Sequence, residues 1–138
     1  MITDKNKEFI SGSQIFRGLN SEVLSGIIEN ASEMEFEAGH LFIKEGDPSK
    51  GLCIIVEGES SIEKTNGEEL FTRGVGESLG EMTLIDLGNR SVSVRAKSDV
   101  KIVVISLEYM SSLFDDDPKI LTTVAINIAR ILSNRLRE

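Results

Sequence analysis

The hydrophobic period changes twice along the chain. Residues 13–31 read as helical: Val23, Leu24, Ile27 and Ile28 recur at spacings of three and four, and Asn20 can cap a helix running through Glu29. Ahead of that helix, Ile15, Phe16 and Leu19 form a short apolar turn. From 33 to 106 the pattern becomes short runs bounded by glycine. The runs are Met34 to Phe36, Leu41 to Ile43, Leu52 to Val56, Ser60 to Lys64, Glu69 to Arg73, Ser91 to Ala96 and Val100 to Ser106. Short strands at near-regular intervals predict a β-roll, sandwich or barrel. Asn66-Gly67 lies between two runs and predicts a tight hairpin. From 107 to 138 the helical period returns. Ser106 can cap a short helix carrying Leu107, Met110, Leu113 and Phe114, and Asp117-Pro118 sets the cap and first position of a longer one. The apolar stripe of that last helix, from Ile120 to Leu136, is wider than one packing face needs. Its excess implies either a partner helix, with homodimerisation as the simplest case, or deeper burial within its own domain.

Composition narrows the picture. At 138 residues the chain has room for one domain, 1–138, mainly β with flanking helices (an α+β class). The formal charge of −8 argues against nucleic acid as a partner, since phosphate backbones need clustered cations. With a single Cys, Cys53, and a single His, His40, the chain lacks material for a disulfide, a zinc site or a Cys-His nucleophile. His40 follows a turn and reads as a solvated residue. Asp115-Asp116-Asp117 reads as a solvated turn and helix cap, not a cation site. No apolar run suits a signal peptide or a membrane span, so the expected setting is the cytoplasm, without membrane contact. No catalytic set can be assembled, and the chain reads as a binding protein, not an enzyme.

The chemistry concentrates between Gly74 and Ala96. Gly74, Gly76 and Gly80 fall within seven residues, which lets backbone approach a ligand closely. Glu81 to Leu87 can form one or two turns of helix, whose N-terminus would offer unpaired N–H groups to an anion. Arg90 then supplies a fixed cation able to fork two hydrogen bonds onto phosphate oxygens. Arg90 shares the parity of Val92 and Val94, so it points inward if the strand is regular that far back, whereas Arg95 has the opposite parity and reads as solvated. An inward guanidinium needs a counter-charge: Glu81 from the same segment or a bound anion. Singly, each residue has a plain structural role, Gly80 as a turn, Glu81 as a helix-start acid, Arg90 as a salt-bridge partner and Ser91 as the first residue of a strand.

Gly80-Glu81, eight further residues and then Arg90-Ser91 resembles the phosphate-binding segment of the cyclic nucleotide-binding domain family. Other segments follow in the family's order: Ile15-Phe16-Arg-Gly-Leu19, Phe36-Glu-Ala-Gly39, Phe42-Ile43-Lys-Glu-Gly46-Asp47, Leu52 to Gly58, and Val94-Arg-Ala96 before the closing strand and helices. The resemblance covers about residues 13 to 136 and implies a double-stranded β-helix, a jelly-roll-like β-roll, with one N-terminal helix and two C-terminal helices. It also implies a cyclic nucleotide as ligand, cyclic AMP (cAMP) ahead of cyclic GMP (cGMP). Arg90 would take the cyclic phosphate, Glu81 the ribose 2′-hydroxyl, and Gly80, Met82 and Ser91 would add donors around them. Leu79 and Val92 would line the pocket, with Ile62 and Cys53 as candidates for the base-facing wall. Asn134 and Arg135 are the late polar residues placed to read a base. The implied role is a stand-alone regulatory sensor that signals to an effector protein through its helices. The alternative is a member of the fold that keeps only protein interaction or dimerisation.

Overall fold

The computed structural model describes residues 2–48, 50–81 and 92–137. Among them the chain forms eight strands in two four-stranded antiparallel sheets. One has the order β1 (Ala31–Phe36), β8 (Val100–Ser106), β3 (Gly51–Glu57), β6 (Ser78–Leu79). The other has the order β2 (Leu41–Ile43), β7 (Ser93–Ala96), β4 (Ser60–Glu63), β5 (Glu69–Arg73). This is the expected double-stranded β-roll.

Strand alternation explains why β3 is buried along nearly its whole length. Leu52, Ile54 and Val56 face a cluster closed by helices, while Cys53 and Ile55 face the inside of the roll. β8 divides the same way, Val103 and Ile105 to the helices, Val100 and Ile102 inward. The two strands meet where only glycine fits. At Gly51 (φ +147°) a Cβ would lie 2.1 Å from the Ile105 carbonyl oxygen.

The helical caps follow the sequence. The side chains of Asn20, Ser106 and Asp117 accept N–H bonds at the starts of α2 (Ser21–Glu29), α3 (Leu107–Asp116) and α4 (Pro118–Leu136) respectively. Between α1 (Asp4–Ser11) and α2 a 3-10 turn, Gln14–Phe16, holds Ile15 and Phe16 in the core. α4 buries Ile120, Val124 and Ile128 against this core. It leaves Leu121, Ile126 and Leu136 exposed, so its stripe is not consumed within the described chain. Asn127, 4% exposed, fixes the helix by donating from Nδ2 to the carbonyls of Ile15 (2.9 Å) and Arg17 (2.8 Å).

Four sequence expectations change. An additional helix, α1 (Asp4–Ser11), precedes the expected single N-terminal helix. Thr3 caps it, and Glu33 on β1 accepts from the Thr3 N–H and from Asn6 Nδ2. Those two bonds hold the Glu33 carboxyl below its ordinary range. The 66–67 hairpin turns on Thr65 and Asn66, bridged by the Gly67 N–H to Lys64 C=O bond at 2.9 Å, with Gly67 following at φ +87°. Strand β6, two residues long, escaped the pattern altogether. Arg95 is not simply solvated: its Nε lies 3.1 Å from the buried Glu63 carboxylate and its Nη1 2.8 Å from the Gly39 carbonyl. Parity holds, since Arg95 and Glu63 share the sheet face opposite Val94 and Ile62; what changes is that Arg95 pairs with a buried acid there, which would be costly to leave unpaired.

Candidate functional site

The turn from β5 to β6 is tied to β3. The Gly76 N–H (φ +88°) donates to the Ile55 carbonyl at 2.8 Å, and the Ile55 N–H donates to the Glu77 carbonyl at 3.0 Å. Ser78 and Leu79 then pair with Ile54 and Cys53. Gly80, at φ +77°, reverses the chain and brings Glu81 inside, where it is 4% exposed.

A carboxylate that deep needs a counter-charge, and it comes from the far end of the sequence. Arg135, in the last turn of α4, donates from Nη1 to Glu81 Oε1 and from Nη2 to the Ser78 carbonyl at 3.0 Å. The second carboxylate oxygen, Oε2, has a long 3.4 Å contact from the Ser78 hydroxyl. The planar guanidinium fork therefore ties α4 to the β6 turn through two acceptors at once.

This ion pair stands at the polar end of a cavity of about 430 Å³, a size typical of small-molecule sites. Its long wall is a row running across the second sheet. Ile43 is in register with Val94, Val94 with Ile62, and Ile62 with Phe71. All four line the cavity, and Leu132 and Leu136 of α4 roof it. A second, more polar cavity of about 370 Å³ lies across Arg135, between the 3-10 turn, the β5–β6 turn and α4. The first has what an amphipathic ligand needs, an extended apolar wall ending at a charged group.

Of the residues singled out from sequence, Leu79, Gly80, Glu81 and Val92 line that cavity together, and so does Ile62. Cys53 is buried in the roll-side cluster and is not among the lining residues. Met82, Arg90 and Ser91 lie outside the described residues, as does the helical stretch expected from 82 to 87. Glu81 takes its charge partner from Arg135. Arg73, Phe71 and Ser78 line the cavity without having been anticipated. Phe71 and Arg73 share the parity of one strand face, which was a usable signal. Ser78 carried none.

The profile of the cyclic nucleotide-binding domain matches residues 33–117. The chain belongs to that family. Among curated relatives of this cyclic nucleotide-binding domain, the cyclic AMP receptor protein of Thermus thermophilus is 31% identical over 133 residues, covering 94% of this chain and 60% of its own length. The chain spans about three fifths of the length of the first curated relatives it matches. Among solved structures, a cyclic nucleotide-binding domain from Methylobacillus flagellatus superposes with TM-score 0.79 at 25% identity, over 96% of this chain and 77% of that one. The regulatory domain of Toxoplasma gondii PKA, crystallised with cAMP, gives TM-score 0.73 at 25% identity, over 81% and 46%. The family is a regulatory binding domain. Among the described residues no helix is long and apolar enough to cross a membrane.

Proposed function

We propose that the chain is a cytoplasmic cyclic nucleotide sensor without catalytic activity, which reports occupancy to an effector protein through α4. One observation carries this reading: the buried Glu81 carboxylate at the end of an apolar cavity is held by Arg135 from the helix that roofs the same cavity. A ribose 2′-hydroxyl is a donor and suits Oε2, which has only the long Ser78 contact among the described residues. A hydrogen bond to a charged group is worth about 1.5–3 kcal/mol, whereas breaking a buried ion pair costs about 3–5 kcal/mol. The ligand therefore shares Glu81 with Arg135 instead of expelling it, and ribose and helix meet on one carboxylate. In this assignment Arg90 takes the cyclic phosphate, and Gly80, Met82 and Ser91 donate around phosphate and sugar. Leu79 and Val92 flank them. At a net charge of −8, nucleic acid is not a partner of this chain.

Calorimetric titration tests the reading. Saturable binding of a cyclic nucleotide is expected, together with its loss in Arg90→Ala at an unchanged melting temperature. Absence of heat at several hundred micromolar ligand overturns it. In Arg135→Gln, binding is expected to persist while ligand no longer changes amide exchange in the last turn of α4.

Kinship points to cAMP, which the Toxoplasma regulatory domain holds. The sugar and phosphate contacts are common to every cyclic nucleotide, so the base has to be told apart elsewhere.

A second reading, interaction through a homodimer, is favoured by the exposed apolar side of α4, where Leu121 is 39%, Ile126 47% and Leu136 87% exposed. Sedimentation equilibrium decides it, a concentration-independent monomer counting against the dimer.

A further inference from the structure

Besides the Glu81–Arg135 pair, the cavity is lined by a second cation. Phe71 and Arg73 stand two residues apart on one face of β5, and both line the cavity. The Arg73 side chain is 9% exposed, and its guanidinium carbon lies 5.1 Å from the centre of the Phe71 ring. Its Nη1 is 3.9 Å from Glu77 Oε1, and Glu77 Oε2 in turn accepts the Gly74 N–H at 2.6 Å. Arg73 is therefore a cation oriented by an aromatic ring and a carboxylate that the turn backbone itself positions. Phe71, 50% exposed, sits at the outer end of the cross-strand row.

A guanidinium has five N–H donors and no acceptor, so it distinguishes bases by their acceptor edges. Guanine presents two acceptors side by side, O6 and N7, and a guanidinium fork meets both. Adenine presents N7 beside the N6 amino group, whose hydrogens oppose the fork. We propose that Arg73 is the base-reading residue of this cavity, and that it makes the domain prefer a guanine cyclic nucleotide to an adenine one. The proposal rests on the cavity being a cyclic nucleotide site, and it runs against the ligand that kinship suggests. The competing role for Arg73 is a structural staple that fastens the β5–β6 turn.

The test is calorimetry on the full chain with three ligands: cAMP, cGMP and cyclic IMP. Cyclic IMP keeps guanine's O6 and N7 but lacks its amino group. The wild-type chain is expected to bind cGMP and cyclic IMP about tenfold or more tighter than cAMP. Arg73→Ala is expected to bring all three together at the level of cAMP. Arg73→Lys keeps the charge beside Glu77 but not the fork, and is expected to lose the guanine preference even if the alanine variant proves unstable. The proposal is overturned if wild-type protein binds cAMP as tightly as cGMP. It is also overturned if the lysine variant keeps the preference, or if both variants weaken all three ligands equally, as a staple would. Failure of all three ligands to bind overturns the cyclic nucleotide site itself, a different result from binding without guanine preference.

Discussion

The two sides of strands β3 and β8 offer a direct comparison. On one side Leu52, Ile54, Val103 and Ile105 meet Phe16, Met110 and Ile128 in a cluster whose members are almost all fully buried. On the other side Ile55 and Ile102 face the second sheet, across a roll that holds an open cavity. The same two strands, built from the same residue types, bury one side in a core closed by helices and the other in a second cluster whose members Ile43, Ile62 and Val94, on the other sheet, also line the cavity. The helices fill the first side completely, whereas the second opens onto a cavity that, among the described residues, only the end of α4 covers.

The comparison can be broken by truncation. Ile54→Ala on the filled side should leave a new void and cost about 4 kcal/mol of unfolding free energy in urea or thermal melts. Ile62→Ala on the cavity side enlarges space that already exists, so the cost should fall to about 1–2 kcal/mol, near the transfer value alone. Equal costs would mean that the cavity is closed in solution. The smallest effect is at the edge of the filled side. The Glu33 carboxyl is held below its ordinary range by the Thr3 N–H and by Asn6. Its contribution is therefore complete above the ordinary carboxylate range and disappears as pH falls through its lowered value. Amide-exchange protection in α1, taken against the intrinsic rate at each pH, should fall on acidification, and Glu33→Gln should remove part of that pH dependence. Equal acid sensitivity in both proteins would show that α1 is held by its apolar residues alone.

Local chemistry was legible in the sequence. Asn20, Ser106 and Asp117 announced their helices because a cap acts within three residues of itself. The row Ile43–Val94–Ile62 could be anticipated from parity, but its register could not, because register is set by pairing between distant strands. Helix α1 was missed because Phe9 and Ile10 stand almost alone among charged neighbours, and docking against β1 stabilises it. The cavity lining was legible in its glycine turn and in Glu81. The counter-charge to Glu81 was not: Arg135 is 54 residues away, and nothing in either neighbourhood marks the other. Arg73 lay within reach of the parity argument, since it lies on the Phe71 face of β5. Arg90, in its glycine-rich setting, carries the stronger local signal.

Asn127 gives α4 a mechanical character. Its two bonds to the Ile15 and Arg17 carbonyls fix the helix near its midpoint. From there to Arg135 the helix runs about 12 Å at 1.5 Å per residue. A rod held at its middle and latched near its tip is a lever. A tilt of roughly 10° about the fulcrum carries the tip about 2 Å, comparable to the helix shifts that switch subunit interfaces. The opposite arm, from Pro118 to Asn127, carries the exposed Leu121, which the same tilt would swing the other way. Movement at the latch would thereby reach a surface on the far side of the pivot.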